Sequence, residues 1–193
     1  MVVKWDSMVV VASKFFLIPK NPRCKSRGFF FLISGVNPMN IFVINENHEE
    51  CARQHVDRHV TKMPLETAQL LCTSLNLLNV KTPYKSCHVN HPCRIWTGKS
   101  RSNFIWLCQL GIELCKEYTF RYERVHASQK VIEECMAQAN NIPEGELTPF
   151  AQAMPDEYKN DNPVSAYRNY YIHAKKHLAA WKKRNIPEWY AFV

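Results

Sequence analysis

The sequence has no apolar run near the roughly 18 uninterrupted residues that span a bilayer, because lysines and arginines interrupt its apolar N-terminal stretch. A membrane anchor or membrane partner is therefore not expected. Glycine is scarce, at 5 residues in 193, and no Gly-rich phosphate loop is present. The chain also lacks a G-x-S-x-G elbow and an H-E-x-x-H motif, so no motif supports nucleotide hydrolysis, esterase chemistry or zinc proteolysis.

The remaining composition is that of an ordinary globular protein, with 46% hydrophobic and 22% charged residues. Much of the net charge of +8 lies in residues 1–38, which contain six Lys or Arg and a single acidic residue, leaving 19 basic against 16 acidic residues in the rest. This tail has no helical or strand periodicity and no clear signal-peptide cleavage site. We predict an N-terminal extension over 1–38, either disordered or an over-called translation start, followed by one domain over 39–193.

The chain has eight cysteines, all but one of them after Met39. Cys72, Cys108 and Cys115 fall within apolar helical patterns, where a free thiol acts as a small hydrophobic side chain. A chain of this length can bury a core without disulfides. We therefore expect reduced thiols and a cytoplasmic location.

Periodicity and capping residues predict a mainly α fold, a compact single domain with a kinked first helix and a long central helix. Residues 39–44 are expected to form a buried strand or extended segment. The predicted helices run from Asn45 or Asn47 to Leu78 with a break near Met63 caused by Pro64, from Ser100 or Ser102 to about Arg124, from Ser128 to about Ala139, and from Asn162-Pro163 to about Arg184. Residues 79–99 and 140–163 are expected to be loops, with Phe150 and Met154 anchoring the second to the body.

Four titratable residues on the first predicted helix, His55, His59, Lys62 and Glu66, are spaced 4, 3 and 4 apart and fall within roughly 60 degrees on a helical wheel. Apolar residues occupy the neighbouring arc, as expected for a helix that borders a site. The alternative is a solvated polar face in which Lys62 and Glu66 form an ordinary i, i+4 pair. We take these four residues as the candidate catalytic group, because histidine titrates near neutral pH.

The segment Cys87-His88-Val89-Asn90-His91-Pro92-Cys93 contains several soft ligands but has no second knuckle. It is therefore interpreted as a loop, with His91-Pro92 fixing its geometry, and neither a metal nor another cofactor is expected.

The last predicted helix carries six Lys or Arg over 164–184, interleaved with aromatic residues and without one acidic residue. This composition suits phosphates and unpaired bases, although the aromatic residues would also suit the core. The candidate nucleic-acid contacts are Arg58, His91, Arg94, Asn103, Arg121, Arg168, Lys175 and Lys176.

Several segments together resemble a set of small, mostly uncharacterised tailed-phage proteins. They are Met39-Asn40-Ile41, the run from Cys51 to Leu71 with its Gln54-His55 and Pro64, Asn90-His91-Pro92 with Trp96 and Asn103, Ala153-Met-Pro-Asp-Glu-Tyr158 and Pro187-Glu-Trp189. More distantly, residues 39–193 resemble the pyrimidine-dimer DNA glycosylase and abasic-site lyase family, also called the endonuclease V family.

This resemblance implies an all-helical domain, expected to be a monomer in the host cytoplasm, that binds double-stranded DNA and flips out a nucleotide. An amine then attacks the sugar C1′ and a glutamate assists. The family's amine corresponds to the α-amine of Asn40, and its glutamate falls on Lys62, with Glu66 one turn further along. The enzymatic hypothesis gives Lys62 the role of amine, Glu66 that of proton carrier and His55 or His59 an assisting role.

Two alternatives remain open at this stage. The same fold would serve equally in a phage protein that binds nucleic acid or a host protein without catalysis. A metal-dependent hydrolase built on His55, His59, Glu66 and His91 is the third class, and metal analysis of untagged protein would test it.

Overall fold

The computed structural model describes residues 39–191, and within them it is built from helices joined by ordered segments. The α-helices are α1 (His48–Gln54), α2 (Asp57–Asn76), α3 (Pro92–Thr97), α4 (Arg101–Tyr122), α5 (Gln129–Ala137), α6 (Pro163–Ala174) and α7 (Glu188–Ala191). Short 3₁₀ turns cover Ala139–Asn141, Asp156–Tyr158 and Lys176–Leu178. Because no strand occurs in this part of the chain, the predicted mainly α fold is confirmed. The extension predicted over 1–38 lies outside the described residues.

The long central helix α4 forms the middle of one continuous hydrophobic core and packs against α1, α2 and α5. Ser100 caps it by accepting a hydrogen bond from the Asn103 amide at 3.2 Å. Gly111 lets α4 approach α2 closely, since a Cβ at this position would lie 2.6 Å from the Thr67 methyl carbon. The predicted central helix is therefore present, and its position depends on a residue without a side chain.

The first predicted helix is interrupted, but the predicted position of the break was wrong. α1 ends at Gln54, both His55 and Val56 adopt extended backbone angles, and α2 then runs through Pro64 without ending. Arg121 from α4 explains the location, because its guanidinium donates to the carbonyl oxygens of Arg53 and His55 at 2.8 and 2.9 Å. These bonds satisfy carbonyls that the end of α1 leaves without helical partners.

The last predicted helix is shorter than expected, since α6 ends at Ala174. The chain beyond it turns and binds the start of α2: the Asp57 amide donates to the Ala180 carbonyl at 2.8 Å, and the Asp57 carboxylate accepts from the Lys182 amide at 2.9 Å. The Trp181 indole also donates to the Gln54 carbonyl at 2.8 Å. Docking on the α1–α2 junction therefore replaces the final helical turns that periodicity predicted.

Three further predictions concern the connecting segments. Residues 39–44 form the buried extended segment and join no sheet. The predicted loop over 79–99 was wrong in its second half, because His91 caps α3 through its Nδ1 and Pro92 occupies the first turn. In the loop that follows α5, Met154 is buried and Phe150 packs between Trp96 and Trp106, so both predicted anchors are present.

All seven cysteines in the described part of the chain are free thiols, as predicted for them. None of the helices between residues 39 and 191 is both long enough and apolar enough to cross a lipid bilayer.

Candidate functional site

A cavity of about 650 Å³ opens between the first half of α2 and the turn that follows α6. It brings together four of the predicted site residues, Arg58, His59, Lys62 and Lys175, which come from two distant parts of the sequence. The rest of its lining consists of Phe42, Asp57, Thr61, Tyr122, His177 and Leu178. The cavity therefore combines a basic rim with apolar and aromatic walls.

The charge around this cavity favours an anionic ligand. Arg58, Lys62 and Lys175 line it, and the acidic residue in the same lining is Asp57. The Asp57 carboxylate is already committed, since it pairs with Arg121 at 2.8 Å and accepts a backbone hydrogen bond. The remaining cations give the opening a positive potential that suits phosphate.

His59 forms part of the cavity wall and is held rigidly. Its ring stacks on Phe42 with the centroids 4.2 Å apart, and its Nδ1 is hydrogen-bonded to the Tyr171 hydroxyl. Burial, followed by the positive charges of neighbouring groups, moves the pKa of His59 well below its usual value. The imidazole is therefore neutral at physiological pH and acts as a hydrogen-bonding group rather than as a cation.

Lys62 and Glu66 form an ion pair in which the two partners differ sharply in exposure. Lys62 Nζ lies 2.6 Å from Glu66 Oε1, with the lysine side chain 52% exposed and the glutamate side chain 7% exposed. Burial raises the pKa of Glu66, and the hydrogen bond from Lys62 opposes that shift. A carboxylate with raised proton affinity thus contacts the amine of a lysine that lines the cavity.

The other oxygen of the same carboxylate anchors the extended segment. Glu66 Oε2 accepts a hydrogen bond from the Asn40 backbone amide at 3.1 Å. The Asn40 side chain is fixed on both sides, accepting from the Tyr167 hydroxyl at 2.7 Å and donating to the Ala153 carbonyl at 2.8 Å. The Asn40 nitrogen, which the family resemblance singles out, is therefore adjacent to Glu66.

Of the predicted catalytic group, His59 and Lys62 line the cavity, Glu66 contacts Lys62 from outside the lining, and His55 lies apart. It follows α1 and is fully buried, with Nδ1 2.6 Å from the Cys51 carbonyl and Nε2 without a partner among the described residues. Burial lowers the pKa of His55 to about 4. The expected stripe on a single helix is thus broken, because only His59, Lys62 and Glu66 lie on α2.

Two of the predicted nucleic-acid contacts are interior residues. Arg121 is fully buried, and its Nε donates to Glu117 at 2.6 Å. Asn103 is also fully buried and exchanges hydrogen bonds with Thr148, accepting from its amide at 2.9 Å and donating to its hydroxyl at 2.9 Å. We correct the sequence-based assignment of both residues: their polar atoms hold α4 to its neighbours and do not face a ligand.

The remaining predicted contacts lie away from this cavity or beside it. His91 is buried as the cap of α3, and Arg94 donates through Nε to the Val89 carbonyl. Lys176 is exposed in the turn after α6. Arg168 lines a second cavity of about 750 Å³, where its guanidinium lies 5.4 Å from the Trp189 ring centroid.

Nothing between residues 39 and 191 places three His, Cys, Asp or Glu side chains so that they could hold a metal ion. The set proposed for the hydrolase alternative, His55, His59, Glu66 and His91, is therefore not assembled as a ligand group.

The sequence patterns did not reveal the roles of Phe42 and Tyr171. Phe42 belongs to the extended segment but stacks on His59, and Tyr171 binds the same imidazole from α6. Both looked like ordinary core residues, because their partner is distant in the chain. His177 stood out only as a member of the basic and aromatic run.

Comparisons of the chain with models of known protein families, with curated proteins and with solved structures found no match. The function is therefore argued from the site itself.

Proposed function

We propose that this protein is a DNA-repair-type glycosylase and abasic-site lyase that acts on damaged pyrimidines through an imine formed by Lys62. The observation that carries the proposal is the 2.6 Å pair between the cavity-facing Lys62 and the buried Glu66. A lysine becomes nucleophilic when it loses a proton, and a nearby group that accepts the proton promotes this step. The raised pKa of Glu66 suits that role.

The proposed chemistry conserves protons and electrons at each step. Glu66 accepts a proton from the Lys62 ammonium, and the resulting amine attacks the sugar C1′ of the damaged nucleotide. The bond to the base breaks, the base leaves with the proton that Glu66 had accepted, and a proton from the attached nitrogen passes to the sugar O4′ as the ring opens to an iminium on Lys62. Removal of a C2′ proton then expels the 3′ phosphate, and water releases the sugar fragment and restores the amine.

The size and walls of the cavity support a single extruded nucleotide as its ligand. At about 650 Å³ it falls within the roughly 300–1,000 Å³ range of small-ligand sites. Phe42, Tyr122 and Leu178 offer an apolar wall for a base, and Arg58 and Lys175 offer cations for its phosphates. Extrusion costs a few kcal/mol of stacking, which contacts with the phosphate backbone offset.

The decisive experiment is borohydride trapping with the full chain. Duplexes that contain an abasic site, a thymine dimer or no lesion are incubated with protein, reduced and run on a denaturing gel. We expect a covalent adduct that Lys62→Ala abolishes and Glu66→Gln strongly reduces. The matched control is Lys116→Ala, which removes an exposed helical lysine paired with Glu113 at 2.7 Å and should leave the adduct intact.

Two other outcomes would redirect the interpretation. An adduct that survives Lys62→Ala would reject Lys62 as the nucleophile, and repeating the assay with protein that begins at Asn40 would test an α-amine there, since in the full chain the Asn40 nitrogen, 3.1 Å from Glu66, is a peptide amide. If no substrate gives an adduct while the lesion duplexes still shift on a native gel, the protein is a non-enzymatic nucleic-acid binder. The positive rim of the cavity is the observation that favours this second candidate.

A further inference from the structure

Two cysteines from different helices face each other in the core. Cys72 of α2 and Cys135 of α5 have their sulfur atoms 3.6 Å apart, close enough for one thiol to donate a hydrogen bond to the other. They are 63 positions apart in the sequence and both are buried. The neighbouring Cys108 and Cys115 are buried thiols without a thiol hydrogen bond of this kind among the described residues. The contact therefore distinguishes one pair among the buried cysteines.

A small cavity reaches one member of this pair. It has a volume of about 260 Å³ and lies between the end of α5 and the segment after α2. Cys135 forms part of its wall, together with Leu75, Lys81, Thr82, Pro83 and Glu134. A molecule as small as a peroxide fits this space and would meet Cys135 there, with the sulfur of Cys72 3.6 Å from that of Cys135.

The two thiols differ in the ease with which they lose a proton. The pKa of Cys72 is lowered, chiefly by the hydrogen bond from Cys135, and the Thr82 hydroxyl contributes to the same shift. The pKa of Cys135 is raised by its hydrogen bond to Cys72, by burial and by the unfavourable second negative charge beside Cys72. These directions favour Cys72 as the first thiolate and the cavity wall favours Cys135, and the same disulfide results whichever sulfur attacks first.

We propose that Cys72 and Cys135 form a reversible disulfide when the protein meets a peroxide. The thiolate of one cysteine attacks one peroxide oxygen, the O–O bond breaks, and that sulfur becomes a sulfenic acid while hydroxide leaves. The sulfur of the other cysteine then attacks the sulfenic sulfur, and its proton combines with the departing hydroxyl as water. The two thiols lose two electrons in total and the peroxide gains them.

Closing this bond requires a modest movement. The sulfur atoms must approach from 3.6 Å to about 2.05 Å, a change that side-chain rotation and a small shift between α2 and α5 can supply. The disulfide would close a long loop and link the helix that carries Lys62 to its neighbour. A cross-link of this length restricts the unfolded chain and raises the thermal midpoint.

The test is peroxide oxidation of the folded full chain, followed by intact mass and peptide mapping. We expect a loss of about 2 Da per disulfide formed, a cross-linked peptide pair containing Cys72 and Cys135, a higher thermal midpoint, and reversal of all three by dithiothreitol. Cys135→Ser should abolish the cross-link, and a sulfenic-acid reagent applied to it and to Cys72→Ala identifies the sulfur that attacks the peroxide. Cys108→Ala is the matched control and should form the same cross-link.

The proposal fails if peroxide leaves both thiols reduced in the folded protein, or if they cross-link only after urea unfolding. It also fails if peptide mapping places the disulfide between other cysteines. Cys72→Ala offers a second variant when Cys135→Ser folds poorly, since it should also prevent the cross-link. All of these results are independent of the borohydride experiment, since they require neither DNA nor catalysis.

Discussion

Replacing Arg121 by methionine should destabilise the protein strongly, because this buried side chain joins α4 to the junction between α1 and α2. Its guanidinium donates to Glu117 at 2.6 Å, to Asp57 at 2.8 Å and to two carbonyl oxygens at the end of α1. Methionine fills much of the same volume but restores none of these bonds. Asp57 would then lose its cation, whereas Glu117 would retain Arg184, which lies 2.8 Å away.

The expected magnitude follows from the burial of the pair. Removing one partner of a buried ion pair typically costs about 3–5 kcal/mol, because the other charge remains without compensation. For a protein of this size each kcal/mol lowers the thermal midpoint by about 2–4 °C. We therefore expect a decrease of about 6–20 °C for Arg121→Met. Arg121→Lys should recover little of it, because a lysine cannot contact four acceptors with one planar group.

Urea denaturation followed by circular dichroism would measure this change, with Lys116→Ala as the control. Lys116 pairs with Glu113 on the surface of α4, and the loss of this 64%-exposed side chain should cost less than about 1 kcal/mol. The denaturant slope should stay the same for both variants. A loss of stability in Arg121→Met no larger than in Lys116→Ala would refute the structural role assigned to Arg121.

Three further predictions can be checked with the same preparations. The pKa of His55 is about 4 in the folded state and about 6.5 in the unfolded state, so its contribution to stability is complete above pH 6.5 and is lost as the pH falls towards 4. Urea titrations should therefore show about 2 kcal/mol less stability at pH 5 than at pH 7 from this residue. A stability difference between the parent and His55→Gln that does not change with pH would contradict this prediction. Gly111→Ala should destabilise the protein by up to about 2 kcal/mol, although alanine has the better helix propensity, because the new methyl group would lie 2.6 Å from the Thr67 methyl carbon. The control Gly98→Ala should change stability by less than about 0.5 kcal/mol. Equal thermal midpoints for the two variants would argue against the close approach of α2 and α4. Arg58→Gln should reduce the salt dependence of DNA binding by about one phosphate contact, and an unchanged slope in fluorescence anisotropy would remove Arg58 from the proposed phosphate contacts.

Local sequence patterns were sufficient to predict most of the helical fold. Capping by Ser100 and the apolar spacing of the central helix predict α4 correctly, because both depend on residues within a few turns of each other. The same holds for the i, i+4 pair of Lys62 and Glu66, whose contact follows from helix geometry alone. A mainly α fold and one candidate pair were thus accessible before any tertiary contact was known.

The tertiary structure decided which of the polar residues face a ligand. Arg121 and His55 resemble surface residues in the sequence, yet both are buried. The charge of Arg121 is satisfied by Glu117, four positions away, and by Asp57 and two carbonyl oxygens that lie more than 60 positions away. Lys175 reaches the cavity beside Lys62 only because α6 ends early and the following chain binds the start of α2. Sequence periodicity reports local geometry, whereas burial and charge compensation depend on contacts between distant segments, and these contacts separate a binding surface from a structural ion pair.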